Sequence, residues 1–421
     1  MDNEKRTKKL LFVATRRFWP TSSGKEVTLF HNCQGLHDKY GYEIYLFCFD
    51  NDKTDKNSPV PSFIHDVKSV SSPGIKNSLF RILWKSILTG AWPIQNSLFY
   101  SKRIAQELRE YYDAVHPDAL IIDMVRLSPY IDCFPDITIP HVLIEDDLLA
   151  KRYRRQLSAK SKADISGYMN GSFSSGFNRL INSKLFSRLI LKGEIRRLER
   201  FEASLPDKFD FITFISPIEA TEYNQKYKTG KAITLTMGAD VEFCAGGEKG
   251  EHIPNSVSIV GNFSYGSNAA SLEWIHDKVM PNLPDEVKYY VIGKVPDELK
   301  EKIKSDRIVF LGFVDDFRPV VKSTDVYLSP ILFGTGIKTK VVEAMAMEMP
   351  VVTNSVGAEG LDVHNGEELF IAEDPLEMAN IVRQLLSDKK LREQVGKKGQ
   401  EYVLMNHDWN KVYESFGKMG L

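Results

Sequence analysis

The chain is poor in cysteine. Four occur in 421 residues (Cys33, Cys48, Cys133 and Cys244), far apart and with no C-x-x-C pair. That spacing supplies neither a zinc ribbon nor a disulfide framework, so reduced thiols in a cytosol are expected. Long uncharged apolar runs are also missing. The start, MDNEKRTKKLLFVAT, is charged, and its apolar stretch Leu10–Ala14 is too short for a signal-peptide core. No later segment reaches the roughly 18 apolar residues of a membrane span, and a cytoplasmic protein is the expectation. A formal net charge of −1 gives no global reason to bind nucleic acid. No G-x-S-x-G nucleophile turn occurs, the histidines form no metal spacing, and Val260–Gly266 is too weak a fingerprint for a nicotinamide cofactor.

What is present is ordinary globular sequence, 43% apolar and 26% charged, long enough for two or three domains. The neutral total hides an asymmetry: residues 1–210 carry a net +7 and the remainder −8. Residues 151–200 alone hold 13 basic side chains against three acidic ones.

Both halves alternate short strands with helices. The first offers strands at Lys9–Thr15, Glu43–Phe49, Ala119–Asp123, His141–Asp147, Phe209–Ser216 and Ala232–Gly238. The second offers Val257–Gly261, Lys288–Gly293, Ile308–Phe313, Val326–Pro330, Pro350–Ser355 and Glu368–Glu373, separated by helices that include Lys338–Met347 and Pro375–Ser387. Strands rich in Val and Ile between helices predict parallel sheets covered on both faces. Two in succession predict an α/β chain of two doubly wound domains. We place the first at 1–243, with helical insertions near 71–115 and 150–205. A polar, glycine-rich linker follows at 244–255, then the second domain at 256–405.

The most informative segment is Ser329-Pro-Ile-Leu-Phe-Gly-Thr-Gly-Ile-Lys-Thr-Lys-Val-Val-Glu343, a strand, a glycine-bearing loop and a helix start. Gly334 and Gly336 let a ligand approach the backbone, helix-start amides bind phosphate, and Lys338 adds a full positive charge. Glu343 has the chemistry to accept a ribose diol. The same residues also admit a plain glycine turn, with Glu343 as a favourable early-helix acid.

This segment resembles the signature of retaining nucleotide-sugar glycosyltransferases of the GT-B fold, specifically glycosyltransferase family 4 (group 1). The similar subgroup carries G-T-G-I-K-x-K-x-x-E-A-M-A, then P-V-V and G-A-E-G-L. Here these are Gly334–Lys340, Glu343–Ala346, Pro350–Val352 and Gly357–Leu361. Val260–Asn268, including Gly261 and Asn262, resembles the first strand and loop of the family's donor domain. Leu311–Asp316, including Phe313 and Val314, resembles the stretch whose backbone reads the base. In the first half the match is thinner: Arg16–Lys25 stands where the family has a glycine-rich loop, and only Gly24 of it is present. Glu145–Arg155 is similar to the subgroup's D-x-x-D-x-x-S-x-R-Y-x-R stretch. Many members have two glutamates separated by seven residues; Glu343 is the second, and Thr335 stands in place of the first, a change the subgroup shares.

The resemblance implies two Rossmann-like domains facing across a cleft, with a C-terminal helix at about 406–421 packing back on the first. It implies transfer, with retained anomeric configuration and without a metal or cofactor, from a UDP-sugar or GDP-sugar to a glycan, lipid-linked or protein acceptor. Gly261, Asn262, Phe313, Val314, Gly334, Thr335, Gly336, Ile337, Lys338 and Glu343 would bind the donor, with Gly24 on the opposite side. Lys338 would stabilise the leaving diphosphate, Arg17 or Lys25 would assist, and Asp147 would face the acceptor. The acidic trio Glu145-Asp146-Asp147 also admits a metal reading. Two rivals stand: a nucleotide-sugar epimerase, and a non-catalytic partner subunit of a glycosyltransferase complex. Finally, the basic segments 75–105 and 150–200 mix cations with Leu, Ile, Phe and Trp, a pattern suited to an anionic membrane surface at the inner face of the cell membrane and equally to helices packed on their own domain.

Overall fold

The structure, a computed structural model, describes residues 7–21, 24–50, 58–73, 75–158, 184–333 and 336–421. The chain divides into two compact units, one reaching Leu235 and regaining the chain at Tyr413–Leu421, the other spanning Thr236–Val412.

The first unit is built on a parallel sheet of β1 (Lys8–Ala14), β2 (Tyr42–Asp50), β3 (Ile64–Ser71), β4 (Ala119–Asp123), β5 (His141–Asp146), β6 (Phe211–Phe214) and β7 (Ala232–Thr234). Their order is β3-β2-β1-β4-β5-β6-β7. In β1 the run Leu10–Ala14 is buried on both faces, as is all of β4, which is why these strands read as continuous apolar runs. The sequence reading missed β3. It is the edge strand and leaves His65, Asp66 and Lys68 exposed, so its apolar signal is thin.

The second unit holds β8 (Ser256–Val260), β9 (Lys288–Ile292), β10 (Ile308–Gly312), β11 (Val326–Leu328), β12 (Val351–Thr353) and β13 (Phe370–Ile371), ordered β10-β9-β8-β11-β12-β13 and parallel. The helix Thr339–Ala346 buries Val341, Val342, Ala344 and Met345 against this sheet's core. Asp374 caps the helix Pro375–Ser387, accepting from the amides of Leu376 and Glu377 with Pro375 at the first helical position.

The stretch 244–255, expected to be a linker, is folded onto the second unit instead. Val241 and Cys244 enter its core. Arg318 lies over the Phe243 ring at 3.7 Å, and Lys322 donates to the carbonyls of Ala245 and Gly246. These contacts hold the polar, glycine-rich segment in place. At the other end, Tyr413 lies against Gly35 of the first unit, and Tyr40 Oη donates to the Tyr413 carbonyl at 2.8 Å.

Candidate functional site

In the second unit the strand order reverses between β8 and β11, so a crevice opens outside the carboxyl ends of those strands. The sequence places its glycines there. Gly261 follows β8, Gly293 follows β9, Gly312 ends β10, and Gly336 lies in the loop after β11. Gly293 has φ +120°, and a Cβ on it would lie 2.0 Å from the Gly261 carbonyl oxygen. Its N–H donates to the Gly312 carbonyl at 2.7 Å. Only glycine permits this layering of neighbouring loops.

Lys338 ends the β11 loop with extended backbone, and its carbonyl accepts the first helical bonds, from Val341 (2.9 Å) and Val342 (3.2 Å). Helix-start amides ahead of those bonds are donors of the kind that bind anions. The Lys338 ammonium bonds the Gly336 carbonyl at 2.5 Å and lies 3.8 Å from Glu359. Two residues on, Lys340 donates to Asn268 Oδ1 at 2.6 Å, and Asn268 Nδ2 donates to the Asn262 carbonyl at 2.9 Å. This chain ties the helix to the β8 loop. Burial, together with the neighbouring Lys338 charge, pushes Lys340 down to about 8, against the pull of Glu343. The Glu343 carboxylate accepts no hydrogen bond from the described residues. Burial raises its pKa above the usual carboxylate range, with Lys340 opposing.

Phe313 stands 80% exposed at the end of β10, and Tyr265 and Phe333 are also exposed beside the crevice loops. Val314 and Ile337 pack partly into the core. Gly334 and Thr335 lie outside the described residues. Sequence reasoning missed two residues that shape this loop. Asn354 accepts from the Ile331 amide and donates to the Ile331 carbonyl, both at 2.9 Å, and Thr353 Oγ1 donates to the Ser329 carbonyl at 2.7 Å. They stitch the β11 loop to β12, and their only sequence signal is their place at a strand end.

In the first unit the order reverses between β1 and β4. Gly24 opens the helix Gly24–Tyr40 after β1. The next residue, Lys25, reaches Asp123 at the end of β4 (2.6 Å) and Asp146 at the end of β5 (2.6 Å). Burial alone would lower the Lys25 pKa, but the two aspartates outweigh it and hold it above normal. Asp123 is fully buried, and that burial pushes its carboxyl up against the pull of Lys25. Asp146 sits at φ +70°, a constrained conformation that aims it at Lys25. Sequence reasoning named Lys25 but missed this triad. Arg17, in the β1 loop, lies 4.9 Å from the Trp19 ring, and Asp147 pairs with Arg152 at 3.0 Å. The acidic trio diverges: Glu145 is buried near Glu202 and Glu219 and held well above the carboxylate range, while Asp146 and Asp147 take separate cations.

A cavity of about 640 Å³ lies at the opposite, amino ends of β11 and β12. Its central groups are already paired: Asp325 with His252 (2.9 Å) and Arg392 (3.1 Å), Lys322 with two carbonyls.

Residues 254–388 match the family described as glycosyl transferases group 1. An uncharacterized 44.6 kDa protein in the cps region of Klebsiella pneumoniae is 23% identical, over 56% of this chain and 62% of its own length. Phosphatidyl-myo-inositol mannosyltransferase of Mycobacterium leprae is 31% identical over 32% of this chain and 40% of its own. The chain thus matches less than two thirds of either relative. Among solved structures, Anabaena HepE in complex with UDP is 12% identical with a TM-score of 0.64, covering 97% of this chain and 98% of that one. This likeness is one of fold: two parallel sheets wrapped by helices.

Proposed function

We propose that the chain is a glycosyltransferase that moves a sugar from a nucleoside diphosphate sugar, a UDP-sugar or GDP-sugar, to a glycan, lipid-linked or protein acceptor. One observation carries this reading. At the switch point of the second sheet, glycine-lined loops, helix-start amides, the Lys338 ammonium and the Glu343 carboxylate converge. A diphosphate beside Lys338 and the amides leaves Glu343, about a turn along the helix, to accept the ribose hydroxyls. Exposed Phe313 offers the base a face to stack on. The chemical demand is negative charge growing on the leaving diphosphate, which fixed donors stabilise without a metal. From the resemblance to retaining glycosyltransferases we further infer a metal-independent reaction that retains configuration by front-face departure and attack, with no protein nucleophile. The relatives matched, a mannosyltransferase and a protein in a cps region, favour a glycan product, and the complex of HepE with UDP favours the uridine donor.

The test is incubation with UDP- and GDP-sugars, following nucleoside diphosphate release with and without a glycan acceptor. Transfer predicts release that rises with acceptor and persists in a chelator. Release from no donor would leave the partner-subunit reading, and sugar isomerisation without release would leave the epimerase.

A further inference from the structure

In the first unit the helix Ile75–Arg81 runs into a wider π-turned stretch, Ile82–Leu88. The widening shows in the bond from the Thr89 amide to the Trp84 carbonyl, five residues back, at 3.1 Å. This rod is built inside out. Its covered side carries small polar groups: Ser78 and Ser86 are 2% and 0% exposed, Ser78 Oγ donates to the Leu98 carbonyl, and Ser86 Oγ lies 2.8 Å from Ser97 Oγ. Its outer side carries Leu79, Phe80, Leu83, Trp84, Ile87 and Leu88, which are 43–70% exposed. A helix folded against water alone does the reverse. A continuous apolar ridge of this kind marks a surface meant to be covered.

Charge says by what. From Ile75 to Ala105 the sequence has Lys76, Arg81, Lys85, Lys102 and Arg103 and no acid. Just past the ridge, the Ile94 amide donates to Glu194 of the helix Lys184–Glu202 at 2.6 Å, and Arg200 Nη1 stands 3.5 Å from where a Cβ of Gly90 would be. On that helix Lys192, Arg196 and Arg200 are exposed at intervals of four and share one face. Its acids are engaged: Glu194 with Arg197, Glu199 with Lys226, and Glu202, fully buried, with Tyr227. A two-fold contact between copies would set each patch, cations included, against itself. A layer of anionic headgroups over hydrocarbon satisfies both the ridge and the cations.

We propose that this ridge docks the chain on an anionic lipid bilayer. The apolar side chains enter at the level of the headgroup–acyl boundary, Trp84 among them, and Lys85, Lys192, Arg196 and Arg200 meet the lipid phosphates. The rod lies in the surface plane; no helix among the described residues is long and apolar enough to cross a membrane. This inference does not rest on the glycosyl-transfer reading.

Flotation of the full chain with vesicles tests it, using phosphatidylglycerol and phosphatidylcholine in equal parts against phosphatidylcholine alone. The wild type is expected to float with the anionic vesicles and partition at least about tenfold less onto the neutral ones. The pair Trp84→Ser/Leu88→Ser, and separately the triple Lys192→Glu/Arg196→Glu/Arg200→Glu, should each cut anionic partition at least about tenfold, with unchanged thermal melting by circular dichroism. Wild-type protein that stays behind, or floats equally on both vesicles, overturns the proposal, as does a folded ridge variant that floats like wild type. A wild-type dimer made monomeric by the ridge pair, with no vesicle binding, assigns the ridge to a second copy and overturns it too.

Discussion

Lys338 and Lys340 stand two residues apart, yet their surroundings give them different work. Lys340 is buried, tethered to Asn268 and pushed down to about 8, so it fastens the helix start to the β8 loop. Lys338 bonds a loop carbonyl and lies 3.8 Å from Glu359, which sets its ammonium beside the helix-start amides. Lys338→Ala should therefore lower turnover at least about tenfold, the order expected for losing a donor to a developing oxyanion; turnover equal to wild type would remove it from the mechanism. Glu343→Gln should weaken UDP binding in calorimetry. Because burial raises the Glu343 pKa, its carboxylate protonates as pH falls earlier than an ordinary one, and ribose acceptance is lost on that acid side. Wild-type affinity should drop there while the Gln variant stays flat, and matching pH profiles would reject the ribose role. Glu202 behaves differently because it serves the fold. Burial pushes it up to about 7, although Tyr227 hydrogen-bonds it. The folded state then holds a proton that the unfolded chain releases near the ordinary carboxylate value, so stability falls as pH rises from that value through about 7. Glu202→Gln should melt like wild type at acid pH and higher at alkaline pH; a constant gap across pH would place the burden elsewhere.

At the scale of elements, legibility tracks burial. The strands of the second unit were readable because each is an apolar run between turn residues, and β3 was not, because an edge strand with His65, Asp66 and Lys68 outward looks like a loop. The crevice was legible through its glycines and lysine, whose chemistry is local. Asn354 was invisible, since its two bonds to Ile331 cross between strands that only the sheet brings together. The trio 145–147 shows the same limit. Three adjacent acids read as one cluster, but alternation along a strand and a turn at Asp146 send them to separate partners. Gly293 gives the sharpest element-level test. With φ at +120° and a carbonyl oxygen 2.0 Å from any Cβ, Gly293→Ala has to displace the β8 loop. We expect a loss of at least about 2 kcal/mol in urea unfolding together with weaker UDP binding; an unchanged midpoint would show that the loops can part freely.

For the whole molecule, the division into two units has a thermodynamic consequence. Phe416 belongs to the C-terminal segment of the first unit, is fully buried, and packs edge-on to Tyr40 at 6.4 Å. Apart from Gly24, the residues proposed to bind the donor all belong to Thr236–Val412. A ligand that binds only the native form raises that form's stability by mass action, about 2.7 kcal/mol at a hundred times its Kd. Removing a buried phenyl ring costs about 3 kcal/mol or more where it was packed. Calorimetry should then resolve two responses: Phe416→Ala lowers the transition of the first unit, and UDP raises that of the second, each without moving the other. Should UDP raise the transition that Phe416→Ala lowers and leave the other unmoved, the nucleotide would be held by the first unit, and the assignment of the donor crevice to β8 and β11 would fall with it.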